Sequence, residues 1–206
     1  MGVFDGVMSE TFDVIVVGAA LNGLAAGLAL GGHRARRPLS VAIIDLKDPR
    51  QALAGNDARA SAITASSKRM FEALGVWVHV APHMQAMSEI IVTDGRGPEA
   101  RPVLLQFGET GAGQASSALM VENHHLLRGL LDTVEKSPNI TLVTGHALAT
   151  QSFAPGLAKL TLANGAQLSC SLVIAADGGK SPLRQAAGIE LVGWSYEQMG
   201  IVASFD

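Results

Sequence analysis

The apolar residues near the N-terminus change their spacing in a way that predicts a strand, a turn and a helix in succession. A run of Val and Ile side chains predicts a buried strand at 13–17. Glycines punctuate 18–23, and residues 22–32 are rich in Ala and Leu, which is typical of a helix. A second apolar run at 41–45 completes a βαβ unit, so we expect its two strands to be parallel.

The middle of the chain has helical spacing in two places and strand-like runs between them. Apolar positions recur every three or four residues over 61–75 and over 122–136, which predicts two helices. Residues 47–60 are polar and are expected to be irregular. Short strands are expected at 89–94 and 102–107.

From residue 140 onward, apolar and polar side chains alternate with the period of half-buried strands. Asn164-Gly165 predicts a tight hairpin turn within this region. These elements together predict an α/β fold, in which a Rossmann-like domain with a parallel sheet carries a β-meander. A last strand-like segment at 200–205 has no partner before the chain ends, so we expect the chain to be part of a longer protein. The strands predicted after residue 140 lie at 140–144, 147–153, 158–163, 166–170 and 172–175.

Composition narrows the class of protein. Of the 206 residues 48% are hydrophobic and 16% are charged, which favours a sizeable core over disorder. The net charge of −3 gives no reason to expect a nucleic-acid partner. Cys170 is the single cysteine, so a reducing compartment is expected. Residues 14–32 are as apolar as a membrane span, but the strand, glycine turn and helix within them predict a buried βα unit.

The opening turn carries the strongest chemical signal. The dinucleotide fingerprint places three glycines after a strand, for the turn, for close approach to a pyrophosphate and for helix packing. Gly18 and Gly23 occupy the first and third places, and Ala20 occupies the second, where its methyl group would crowd a phosphate. Asp45 ends the second strand, where a carboxylate can accept hydrogen bonds from ribose hydroxyls. We therefore expect a dinucleotide site, with a Gly/Ala turn that only packs a helix on a sheet as the alternative.

Two further segments suit such a site. Arg59 follows Asp57 ahead of the 61–75 helix and offers a planar donor for phosphate, although a solvated arginine is the simpler explanation without context. Asp177 and Gly178 follow a buried strand, at the end where open α/β sheets bind ligands. A capped turn before a short helix explains that segment equally well.

The histidines do not suggest a metal centre. His124 and His125 are adjacent, so on a helix their side chains would point about 100° apart and are not expected to hold one ion. His79 and His83 have Pro82 between them and no evident third ligand. No metal site is predicted, and no Ser/His/Asp or Cys/His constellation identifies a catalytic residue.

The order of these motifs resembles the FAD-dependent aromatic hydroxylases of the p-hydroxybenzoate hydroxylase type. The features are the dinucleotide turn, the acid after the second strand, the D-x-R segment and the A-D-G-x-x-S-x-x-R segment at 176–184. Within that group, DARASAITASSKRMFEALGVW at 57–77 is similar to the ubiquinone-biosynthesis hydroxylase branch. VEN at 121–123 and SYEQMGIVASF near the C-terminus are similar to the same branch.

The resemblance implies a FAD site and assigns residues to it. The opening turn would lie under the pyrophosphate, and Asp45 would hold the adenosine ribose. Arg59 and Asn123 match positions that reach the phosphate and ribityl region, and Asp177-Gly178 matches a motif shared by flavin and nicotinamide binding. The implied cofactor-binding residues are Gly18, Ala20, Gly23, Asp45, Arg59, Asn123, Asp177 and Gly178.

The resemblance also implies an activity. The whole protein would be a monooxygenase that uses NAD(P)H and O2 to hydroxylate the aromatic ring of a polyprenylated phenol in ubiquinone biosynthesis. A cytoplasmic location is expected, with peripheral contact to the inner membrane face or to a biosynthetic complex left open. Another aromatic-ring flavoprotein hydroxylase, a prenyl-lipid reductase and a non-catalytic nucleotide-binding scaffold remain alternatives, and a simple NAD dehydrogenase ranks below them.

The domain boundaries follow from the same resemblance. Residues 1–184 would form the FAD-binding domain, with 85–110 contributing strands to a mixed-sheet substrate domain. Residues 185–206 would begin that substrate domain. Relatives are roughly twice this long, so the chain is expected to be an N-terminal fragment that is inactive alone.

Overall fold

The computed structural model of the chain describes residues 9–55, 59–87, 89–93, 102–108 and 118–199. The strands are β1 (Ser9–Val17), β2 (Val41–Asp45), β3 (Ala60–Ile63), β4 (Met84–Met87), β5 (Glu89–Thr93), β6 (Val103–Gly108), β7 (Ala118–Glu122), β8 (Ile140–Thr144), β9 (Leu148–Ala154), β10 (Leu157–Leu162) and β11 (Gln167–Ala175). The helices are α1 (Leu21–Gly31), α2 (Pro49–Leu53), α3 (Ala65–Leu74), α4 (Trp77–Val80), α5 (Asn123–Glu135) and α6 (Pro182–Ala186).

A six-stranded mixed sheet organises the fold, in the order β8-β2-β1-β11-β10-β9. The first four strands run parallel, and β10 and β9 continue from β11 as an antiparallel meander. The predicted α/β fold with a parallel sheet and a meander is therefore confirmed. Val14 in β1 lies opposite Val41 in β2 on one side and Leu172 in β11 on the other, so β1 is central.

Alternate side chains of β1 enter two different cores. Val14 and Val16 pack in the cluster that includes Leu24 and Leu28 of α1, together with apolar residues of α5. Ile15 and Val17 belong to the other cluster, with residues of β10, β11 and α6. Because both faces of β1 are covered, its sequence is a continuous apolar run, as parallel sheets require.

Two smaller sheets accompany the large one. Strands β3, β7 and β4 pair antiparallel in that order, and β5 pairs antiparallel with β6. In the described parts of the chain, no helix combines the length and the apolar character that crossing a bilayer needs. The apolar stretch at 14–32 is the predicted strand, turn and helix of the βαβ unit.

Several predicted elements were wrong in detail. The helix expected at 61–75 begins only at Ala65, because Thr64 caps it through the backbone N–H of Ser67 and the preceding residues pair as β3 with β7. The irregular segment expected at 47–60 contains α2, whose N-terminus is capped by Asp48. Strands β4 and β7 were not predicted. The separate strands expected at 166–170 and 172–175 are one strand, β11, while the strand expected at 200–205 lies outside the described residues.

Candidate nucleotide-binding site

The turn after β1 requires glycine for steric reasons. Gly18 has φ +112°, which side chains with a Cβ rarely adopt, and a Cβ there would collide with the carbonyl oxygen of Ala176. The N–H of Gly18 donates to the carbonyl of Ile44 at 2.8 Å, which ties the turn to β2. A Cβ at Gly23 would collide with the carbonyl oxygen of Gly18, so the third glycine lets α1 start directly against the turn.

Ala20, at the second fingerprint position, is the N-cap residue of α1. Its φ of −83° and ψ of −174° are ordinary extended values, so the backbone here does not require glycine. Ala20 is exposed, and no side chain caps the helix. The first backbone N–H groups of α1 and the positive end of its dipole therefore remain available to an anion.

Asp45 fixes the same turn from the neighbouring strand. One carboxylate oxygen, Oδ2, accepts the N–H of Ala19 at 2.7 Å, and the other, Oδ1, accepts the N–H of Lys47 at 2.9 Å. An ionised carboxylate offers about four acceptor positions, so two remain for a ligand. The half-buried Asp45 thus has a structural role that was not predicted, in addition to the predicted acceptor role.

Arg59 and Asn123 come together where β3 begins and α5 begins. The backbone N–H of Asn123 donates to the carbonyl of Arg59 at 2.8 Å. The side-chain oxygen of Asn123 accepts the hydroxyl of Ser61 at 2.6 Å, which leaves its amide NH2 group as a donor for a ligand. Two residues 64 positions apart are therefore held side by side by strand pairing.

These elements surround a cleft of about 470 Å³. Four of the predicted cofactor residues line it: Ala20, Asp45, Arg59 and Asn123. Gly18 and Gly23 shape the turn below it. The cleft is also lined by residues that sequence reasoning missed, namely Lys47, Asp48, Pro49, Gln51, Ala52, His124 and Leu127. The sequence did contain a signal for the helix that forms part of this wall, because Asp followed by Pro, as at Asp48 and Pro49, is a common start of a helix.

Asp177 and Gly178 line a second depression, of about 550 Å³, which shares no lining residue with the first. Asp177 follows β11 and lies beside the turn, since a Cβ at Gly18 would also approach its backbone nitrogen to 2.9 Å. Oδ2 of Asp177 accepts the N–H of Leu183 at 3.4 Å, while Oδ1 is buried without a partner among the described residues. Arg184 donates to the carbonyl of Gly179 at 2.8 Å and holds the loop closed.

A histidine cluster borders the first cleft. Nδ1 of His124 lies 3.1 Å from Oε2 of Glu122, and the rings of His83 and His125 stack with centroids 3.7 Å apart. Burial, followed by the neighbouring His124 and His83, lowers the pKa of His125. The donor atoms of His124 and His125 and a carboxylate oxygen of Glu122 all lie within 4.8 Å of one another, although two adjacent histidines on a helix were not expected to hold one ion.

Comparison with known proteins identifies the class of protein. A family of FAD binding domains, FAD_binding_3, matches residues 11–204, and the chain belongs to this family. The predicted cofactor class and the resemblance to FAD-dependent hydroxylases are thereby confirmed.

Individual relatives narrow the class further. The chain is 31% identical over 206 residues to the ubiquinone hydroxylase UbiL of Rhodospirillum rubrum, covering all of this chain and 46% of the relative. It is 30% identical over 198 residues to the 3-demethoxyubiquinol 3-hydroxylase of Escherichia coli, covering 95% and 49%. The chain thus spans about half the length of these curated relatives. Among solved structures, PqsL of Pseudomonas aeruginosa has the same fold, with a TM-score of 0.71, 18% identity and coverage of 90% of this chain and 48% of PqsL.

Proposed function

We propose that this chain is the FAD-binding part of a monooxygenase that hydroxylates the aromatic ring of a polyprenylated phenol in ubiquinone biosynthesis, using NAD(P)H and O2. One observation carries the proposal. Four groups from separate parts of the chain line one cleft. They are the uncapped N-terminus of α1, the Asp45 carboxylate, Arg59 and Asn123. That set combines anion binding with hydroxyl binding, which is what a dinucleotide needs.

The residues of the cleft fit the adenosine and pyrophosphate portions of FAD. The N–H groups at the start of α1 and the Arg59 guanidinium suit the pyrophosphate, and Ala20 would lie beneath it. The free acceptor positions of Asp45 suit the adenosine ribose. The Asn123 amide, oriented by Ser61, would donate toward the ribityl side. Gly18 and Gly23 would let the backbone approach closely, and Asp177 and Gly178 would serve the flavin or the nicotinamide from the second depression.

The chemistry divides between the cofactor and the chain. When bound, FAD would supply electron transfer from NAD(P)H and activation of O2. The residues of this chain would bind and orient the dinucleotide. The apolar walls formed by Ala52 and Leu127 would keep water away from the adenosine end. No acid–base residue of the cleft is assigned to the hydroxylation, because a substrate-binding surface would come from the rest of the protein.

The names of the relatives support the choice of substrate. Both bacterial relatives are named for hydroxylation of a ubiquinone or its precursor. A polyprenyl tail resides in lipid, so the whole protein would contact a membrane surface or a biosynthetic complex peripherally.

We extend the proposal to the domain boundaries. Residues 85–110 and 185–206 would contribute to a substrate domain, with 1–184 as the FAD-binding domain. The supporting observation is exposure of large apolar side chains in both segments. Leu104 is 59% exposed in β6, and Val192 and Trp194 are 87% and 74% exposed after α6. Apolar surface of this extent is typical of a face that another part of a protein covers.

The proposal is tested in two steps. The purified 206-residue chain is mixed with FAD and desalted, and its visible spectrum is recorded; retained flavin is expected. The full-length parent is then incubated with NADH or NADPH, air and a polyprenylphenol, and the product is expected to carry one additional oxygen atom. A colourless parent would favour the non-catalytic scaffold instead. A yellow parent that reduces a double bond without inserting oxygen would favour a prenyl-lipid reductase.

A further inference from the structure

The cluster at the start of α5 brings together three groups that are common metal ligands. Glu122 is the last residue of β7, and His124 and His125 lie in the first turn of α5. Their donor atoms all lie within 4.8 Å of one another. Two imidazoles and one carboxylate form a donor set that Zn2+ uses at sites that keep one position open to water.

One of the three donor–donor distances is close to that of a coordinated ion. Bonds of about 2.0–2.2 Å to nitrogen and oxygen place the donors of a tetrahedral site about 3.3–3.5 Å apart. Nδ1 of His124 and Oε2 of Glu122 are already 3.1 Å apart. A cation bound between these two atoms would also lie near His125, whose donor atom is within 4.8 Å of both.

Rigid structure holds all three residues in place. The backbone of Glu122 is paired with Ala60 in the β3–β7 ladder, and α5 is anchored by buried leucines, among them Leu126 and Leu130. Strand pairing and helix packing thus fix the backbone from which the three donor side chains extend.

We propose that Glu122, His124 and His125 bind a divalent transition-metal cation of the Zn2+ class at the border of the nucleotide cleft. The three residues and their geometry belong to the chain without flavin, so the metal site does not depend on the proposed hydroxylase activity. His124 also lines the nucleotide cleft, so the metal would be placed beside a bound dinucleotide.

Two features around the three ligands affect binding in opposite directions. The stacked ring of His83 fixes the plane of His125. The positive end of the α5 dipole opposes a cation, and the charge of Glu122 compensates for it.

The experiment is a titration of the tag-free, flavin-free 206-residue chain with Co2+, followed by displacement with Zn2+. Co2+ reports its ligands through visible absorption, so binding and coordination are read together. We expect one saturable site. His124→Gln and His125→Phe should each weaken it by at least about 10–100-fold, since loss of an outer partner alone costs that much. The Phe ring preserves the stack on His83. His33→Ala/His146→Ala, which removes two histidines elsewhere, is the matched control.

The results of the titration distinguish a metal site at this cluster from its absence. Unchanged binding in either cluster variant, equal loss in the control, or no saturable site in the wild-type chain would overturn the proposal. If a variant fails to fold, the imidazole nitrogen NMR signals of the wild-type chain decide. Zn2+ should shift the His124 and His125 signals and leave those of His33 and His146 in place, whereas uniform shifts would contradict the site.

Discussion

Replacement of Asp45 tests the architecture of the cleft most directly, because this carboxylate has two separable roles. It accepts the backbone N–H groups of Ala19 and Lys47 at 2.7 and 2.9 Å, and it is proposed to accept ribose hydroxyls. Asp45→Ala removes both roles. Asp45→Asn keeps one acceptor oxygen and most of the shape, but loses the charge.

The loss of stability expected for the Asp45 variants follows from the two hydrogen bonds that the carboxylate accepts. Each bond to a charged acceptor contributes about 1.5–3 kcal/mol when shielded, and the partial exposure of Asp45 reduces the expected total for both to about 2–3 kcal/mol. A chain of this size loses about 2–4 °C in melting temperature per kcal/mol. Asp45→Ala should therefore lower the melting temperature by about 4–12 °C in the absence of flavin, and Asp45→Asn by about half as much.

The assay combines thermal unfolding by circular dichroism with FAD titration of the same proteins. Losing the ribose acceptor in Asp45→Ala should weaken FAD binding by about 1–3 kcal/mol, or roughly 5- to 150-fold in Kd, and losing only the charge in Asp45→Asn should weaken it by less. Asp13→Ala is the matched control, because Asp13 accepts the backbone N–H and the hydroxyl of Ser40 but does not line the cleft. An unchanged melting temperature for Asp45→Ala would refute the structural role, and unchanged FAD affinity in a folded Asp45→Asn would refute the ribose role.

Three further predictions concern the turn and the histidine cluster. Gly18→Ala should lower the denaturant midpoint more than Gly178→Ala, because both sites have positive φ but only Gly18 is crowded by backbone; equal losses would contradict this. Ala20→Gly should tighten FAD binding by up to about tenfold, or 1.4 kcal/mol, without loss of stability, and weaker binding would show that the methyl group does not crowd the pyrophosphate. The lowered pKa of His125 means that the unfolded chain binds its proton more readily, so stability should fall as the pH drops below about 6.5; His125→Phe should flatten that dependence, as measured by denaturant unfolding across pH 5–8.

The βαβ unit could be predicted from sequence because its signals are local. A run of β-branched residues, a glycine turn and an Ala/Leu-rich helix each indicate their own structure. The turn between Gly18 and Gly23 indicated a dinucleotide-binding protein for the same reason. A Cβ at Gly23 would collide with the carbonyl oxygen of Gly18, so this requirement for glycine arises within a few residues.

The elements missed by the sequence depend on distant partners. The segment Ala60–Ile63 carries no strong strand signal and becomes extended by pairing with β7, which was itself unrecognised. The cap that begins α3 could have been predicted, because Thr64 is of a residue type favoured at helix N-caps. The grouping of Glu122 with His124 and His125 was not considered from sequence, because it depends on side-chain rotamers that backbone directions do not give.

The central position of β1 has a consequence for biosynthesis. Thr11 contacts Ser169 in β11, 158 residues later, and the Gly18 turn packs against Ala176 just beyond that strand. At a translation rate of about 5–20 residues per second, β1 waits roughly 8–30 s for this partner to be made. During that interval a strand rich in Val and Ile presents an unpaired edge, which is a template for aggregation. The time during which β1 can pair wrongly is therefore set by the synthesis of residues up to 176.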